Sequence, residues 1–179
     1  LTRRDLLRIG GAGLAGASAA LAYPVFAQQR RRIDIHHHWH PPPVDWAFDN
    51  VGIGPSWTGD GWTVEGALEL LDRFDLDTAI LSIRNPRLQV PVDLCRVVNE
   101  LATEIVSNFP DRFGALAFLP QFDVDAATEE AIYALDTLSM DGIGLNASAN
   151  NLYLGAEEYD PLMTVLNDHN AVVLIHPTA

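Results

Sequence analysis

IDIHHHWHPP, residues 33–42, joins a short apolar strand start to four histidines within five positions. Successive side chains on a strand face opposite sides, so His36 and His38 share one face and His37 takes the other. Two imidazoles at i and i+2 on one face can reach a single divalent ion, and zinc accepts histidine nitrogen at about 2.0–2.1 Å. By the same alternation Asp34 falls on the side of His36, one step deeper, where a structural role suits it. His37 is read as a packing residue. His40 follows at the turn into the prolines; contact with the site or its substrate is the lesser reading for it. The competing reading is an exposed, metal-sticky tract. The strand start ahead of it speaks against that, because the rest of the chain goes on to alternate strand and helix.

Working outward, residues 41–62 show neither helical nor strand periodicity, and an irregular stretch of that length inside a compact domain usually serves function. Trp46, Trp57 and Trp62 lie in it, and together with Trp39 they either wall a pocket for a planar ring or pack the loop. Thr63 is an N-cap for a helix with Leu68, Leu71 and Phe74 at helical spacing. Strands are expected over 77–83, 112–119, 142–146 and 171–176. Helices are expected over 92–109, 123–138 and 160–170, the last opened by Asp160-Pro161, since proline is favourable in a first turn. Near-continuous apolar strands separated by helices indicate a parallel sheet covered on both faces. An open doubly wound sheet and a barrel compete. Histidines, rather than a glycine-rich phosphate loop, follow the first strand, which favours the barrel. Because such barrels run to about 250 residues, the expected fold is an α/β, TIM-like (β/α)8 barrel with about the first five βα units present.

Residues 1–29 read as something other than fold. Arg3, Arg4 and Arg8 precede a mildly apolar run of Gly, Ala and Leu, and a small-residue cleavage pattern falls at Val25 and Ala27. That is the plan of a secretory signal of the twin-arginine type, so a periplasmic or secreted location is expected. The run is short for a bilayer span and too rich in glycine for a core helix, so no stable membrane span is expected. Residues 30–179 would then be the N-terminal part of the barrel, incomplete at its C-terminus. The formal net charge of −13 excludes a nucleic-acid partner, which needs a basic face. Cys95 is the single cysteine; it lies in an apolar pattern and reads as a buried thiol. His169, among Asn167, Asp168 and Asn170, reads as part of a solvated helix end.

The string IDIHHHWHPP, in the setting I-D-x-H-x-H-x-x-P, resembles the HxH motif that opens the amidohydrolase-2 branch of the amidohydrolase superfamily, the branch of aminocarboxymuconate-semialdehyde decarboxylase. The resemblance runs along the chain through LLDRFDLDTAILSI (70–83), NELATEIVSNFPDRFGALAFLPQFD (99–123) and NLYLGAEEYDPLMTVLNDHNAVVLIHPT (151–178). It implies a metal site of His36, His38 and His176, the last in the His176-Pro177 pair that closes an apolar strand. An aspartate ligand after the eighth strand and a histidine after the sixth are expected beyond Ala179. DGIGLNAS (141–148) lacks the lysine that bridges two metals in some superfamily members, so one divalent ion is implied, Zn2+ first and Mn2+ second. Arg84, just after the second strand, is placed to meet an anionic substrate group, and Trp39 to meet a ring. The resemblance implies a metal-dependent decarboxylase of a small aromatic or muconate-type carboxylic acid. A hydrolase of a lactone, ester or amide using metal-activated water is the alternative, and a non-catalytic metal-binding barrel a third reading. The expected partner is the small-molecule substrate, a homodimer is compatible, and the 179-residue chain alone is expected to be inactive.

Overall fold

The computed structural model describes residues 31–41, 61–83 and 89–177. The expected signal segment, Trp46, Trp57 and Arg84 lie outside them. Five strands alternate with helices: β1 (Ile33–His38), α1 (Val64–Arg73), β2 (Thr78–Ser82), α2 (Val92–Asn108), β3 (Phe113–Phe118), α3 (Val124–Ile132) and β4 (Gly142–Asn146) come first. A two-residue-strand hairpin follows, β5 (Ser148–Ala149) and β6 (Leu152–Tyr153), then α4 (Asp160–Asp168) and β7 (Val172–His176). The large sheet is parallel throughout, in the order β1-β2-β3-β4-β7, so each strand lies beside the next in sequence. This is the arrangement of the opening half of a (β/α)8 barrel.

Local chemistry sets the helix starts. The Thr63 hydroxyl accepts from the backbone N–H of Gly66 at 3.0 Å, and the Asp123 carboxylate accepts from that of Ala126 at 3.1 Å; both residues have extended backbones suited to capping. Helix α2 buries Cys95, Val98, Asn99 and Ala102, one stripe at helical spacing, against the sheet. β3, the middle strand, is buried at every position, as a strand covered on both faces must be. Its last residue relies on a side chain for its hydrogen bonds. The Asn99 amide donates to the carbonyl of Phe118 at 3.0 Å and accepts from its N–H at 2.8 Å, and it also donates to Glu130 at 2.8 Å. Glu130, 1 % exposed, is paired in turn with Arg96 at 2.8 Å. A buried carboxylate is tolerated because both its oxygens are occupied.

Three features depart from the sequence expectations. The helix expected over 123–138 keeps α-geometry only to Ile132 and continues as a π-helical turn, Tyr133–Thr137. The β5–β6 hairpin was not foreseen. In β1 the pairing with β2 slips by one residue between Asp34 and His37. This slip breaks the strict alternation and corrects the placement of Asp34: it bonds His37 and does not share the deeper position under His36.

The sheet is strongly curled. On a flat sheet, β1 and β7, four strand spacings apart, would be separated by roughly 19 Å. Yet the imidazoles of His36 and His176 stand 5.3 Å apart between ring centroids. Strands one and five of an eight-stranded barrel face each other across its interior, and the two rings meet as that geometry requires.

Candidate metal centre

All three histidines of the cluster sit at the C-terminal ends of edge strands, His36 and His38 on β1 and His176 on β7. Ring centroids lie 4.6 Å apart for His36–His38 and 5.6 Å for His38–His176. One nitrogen from each ring lies within 4.8 Å of one from each of the others. Three nitrogens on one zinc ion cannot all be more than roughly 3.6 Å apart, so side-chain shifts of about 1 Å would close the set. Neutral imidazoles are the commonest ligands for such ions, so the donor chemistry fits. The surroundings of His176 suit a metal ligand. Its Nδ1 lies 2.9 Å from the carbonyl of Pro177, which can only accept, so an Nδ1–H is satisfied there and Nε2 is the nitrogen left to face an ion.

The strand end that carries His176 is secured by its neighbour. Asn146 and His176 are register partners, and the N–H of Ala147 donates to the carbonyl of His176 at 2.8 Å. Gly142 lets β4 sit this close: a Cβ there would run into the backbone carbonyl of Val172.

His37 takes the structural part read for it. Its Nδ1 lies 3.1 Å from Asp34 Oδ2, and Trp62 Nε1 donates to its Nε2 at 3.3 Å. The second Asp34 oxygen accepts from the backbone N–H of His36 at 3.2 Å. Trp62 meets Trp39 edge to face at 5.6 Å. Trp39 is 2 % exposed, which leaves no open ring face for a substrate; the packing alternative describes it. The chain Trp62–His37–Asp34 ties the residue just before the N-cap of α1 to the strand of His36 and His38. His37 and Trp62 were each visible in sequence; that they bond was not, because they lie 25 residues apart.

Two further residues stand outside the cluster. Cys95 is fully buried, and burial together with the nearby Glu130 carboxylate pushes its thiol far above the ordinary range, so it is a structural thiol. His169 caps the end of α4 in solvent. The carbonyl of Val165 and the carboxylate of Asp136, at 2.7 and 2.9 Å, raise its pKa.

A curled parallel half-barrel with a histidine cluster at the ends of its first and fifth strands is the scaffold of the metal-dependent hydrolase and lyase barrels. Residues 33–179 match the Amidohydrolase (Amidohydro_2) family, and the chain belongs to it. Decarboxylase yanB of Aspergillus niger is 42% identical over 159 residues, 82% of this chain and 43% of that protein. The 6-methylsalicylic acid decarboxylase of Penicillium expansum is 35% identical over 157 residues, 82% of this chain and 48% of that one. The dihydroxybenzoic acid decarboxylase structure from Polaromonas, with manganese and the inhibitor 2-nitroresorcinol, superposes with a TM-score of 0.69 at 22% identity, covering 83% of this chain and 49% of that one. The chain spans about half the length of the curated relatives it matches.

Proposed function

We propose that the protein is a metal-dependent decarboxylase of a small aromatic carboxylic acid and that this chain supplies three of its metal ligands. The observation that carries the reading is the meeting of His36, His38 and His176 from opposite edges of the sheet. The relatives narrow the chemistry: decarboxylases of 6-methylsalicylic acid and gamma-resorcylate are among them, beside one of 2-amino-3-carboxymuconate-6-semialdehyde at lower identity. His36, His38 and His176 would hold a divalent ion, zinc or manganese, which would supply Lewis acidity. His36 and His38 present their nitrogens from one strand whose conformation is held by Asp34. His176 presents Nε2 because its Nδ1 proton is engaged by a carbonyl. Cleavage of the ring–carboxylate bond leaves an electron pair on the ring carbon, which takes a proton as carbon dioxide departs. A proton donor beside the ring carbon completes that step. Export by residues 1–29 belongs to the same reading. It is tested by sequencing the N-terminus of the mature protein, where processing near Ala27 is expected.

The test is carbon dioxide release from 6-methylsalicylate and 2,6-dihydroxybenzoate by metal-loaded protein made from the complete reading frame. Activity should vanish on chelation and return with zinc or manganese. Ring opening of an aryl lactone without carbon dioxide release from any benzoate would instead establish the hydrolase.

A further inference from the structure

At the mouth of the half-barrel lies a buried donor with no hydrogen-bond partner. Asn146 ends β4 and is 2 % exposed, and its Nδ2 meets no acceptor. The groups that hold this residue are already committed. Gln121, equally buried, accepts from the backbone N–H of Asn146 through Oε1 at 2.8 Å and donates from Nε2 to its carbonyl at 2.9 Å. The hydroxyl of buried Tyr159 donates to the carbonyl of Gln121 at 3.3 Å. The array fixes the backbone at 146 from both sides, and the side-chain amide is the group left over. A shielded, unmet donor in an otherwise satisfied array calls for an explanation, and an arriving ligand supplies one.

The direction of the side chain follows from the pleat. Leu145 lines, with Met163, Leu166 and Val173, an apolar cavity on the helix side of the sheet. Residue 146 therefore faces the other way, toward the barrel interior. Its register partner His176 faces inward as well and meets His36 and His38 there.

We propose that Asn146 is a substrate-binding residue whose Nδ2 donates a hydrogen bond to an anionic oxygen of the aromatic acid held beside the three histidines, with Gln121 and Tyr159 as its positioning residues. This rests on the aromatic-acid reading of the site. A neutral amide suits the place. It donates to an anionic oxygen without adding a cation beside a divalent ion, whereas a carboxylate there would compete to ligate the metal.

The test uses metal-loaded protein from the complete reading frame, with 2-nitroresorcinol as a non-reacting ring. In Asn146→Leu, which keeps the approximate size and removes the donor without adding a charge, metal stoichiometry stays as in the parent. Binding of the ring weakens by about tenfold or more, the usual scale for losing a hydrogen bond to a charged group. The same loss appears in KM more than in kcat for a benzoate substrate. Binding within about twofold of the parent, with metal retained, overturns the assignment. Should the variant fail to fold, the parent answers the question: its Asn146 side-chain amide resonances shift and gain exchange protection when the ring binds, and unmoved resonances overturn the proposal. Parent protein that binds no aromatic ring sinks both this assignment and the function it rests on. A parent that binds the ring with an indifferent Asn146 sinks the assignment alone.

Discussion

His37 and its neighbours differ in kind although they are adjacent in sequence, and metal content separates them. His36→Ala or His176→Ala removes one of three imidazoles aimed at a common point, so bound metal, measured by atomic emission, should fall well below one equivalent. His37→Ala removes a link between Asp34 and Trp62. It should keep the metal and cost about 1–2 kcal/mol in urea unfolding, the scale of a part-buried hydrogen bond lost with its partners left behind. Loss of metal from His37→Ala, with His36→Ala unaffected, would reverse the roles assigned to them. A second residue-scale prediction concerns pH. The raised pKa of His169 means that the folded state binds this proton more tightly than the unfolded chain. Its stabilising contribution is therefore fully present below the unfolded value near 6.5 and is lost as pH rises through the higher folded value. His169→Gln should flatten the fall in thermal midpoint over that window, and an unchanged pH profile would refute it. At this scale the shared face of His36 and His38 was legible because strand alternation and strand ends are sequence-local. Asp34 was misplaced because the one-residue slip comes from pairing with β2, 45 residues away.

Elements were legible where their ends carry local chemistry. Thr63 and Asp123 announced helix starts, and both hydroxyl and carboxylate make the expected bonds. The β5–β6 hairpin was missed because each strand has only two residues, too few to show a period. Its signal was the Asn150-Asn151 pair, both at positive φ, a turn composition that asparagine tolerates better than most residues. The π-helical turn at Tyr133–Thr137 carries no glycine or proline to mark it. How closely β4 and β7 approach is also invisible in sequence, and it yields the prediction for this scale. A methyl on Gly142 meets the carbonyl of Val172, whereas one on Gly144 meets only the carbonyl of Ala117 at 3.6 Å, an ordinary contact. Gly142→Ala should part β7 from β4 and displace His176, lowering both the thermal midpoint and metal affinity. Gly144→Ala should leave both near the parent values. Equal metal affinity in the two variants, measured by competition with a chromogenic chelator, would show that the β4–β7 contact does not position His176.

For the molecule as a whole, the sheet that brings three histidines together also leaves its first and last strands each paired on one side among the described residues. Those strands carry Ile35, Val172 and Ile175 at 64 %, 64 % and 56 % exposure, more than solitary surface hydrophobes explain. Unpaired strand edges flanked by such residues are templates for association. Against this stands the net charge of −13, which keeps copies apart at low ionic strength. The two effects respond differently to salt. Screening shortens the reach of the charge from about 10 Å at 0.1 M to about 3 Å at 1 M, while the apolar attraction remains. The 179-residue chain on its own should therefore bind a hydrophobic dye such as ANS, and its mass by light scattering should rise with concentration and rise further in 1 M salt. Ile175→Lys, on the outer face of β7, should lower the self-association without altering helix content. In protein from the complete reading frame the same change should instead lower the thermal midpoint, because a barrel's fifth strand packs under a helix on that face. A dye-silent monomer at both ionic strengths would contradict the exposed edges.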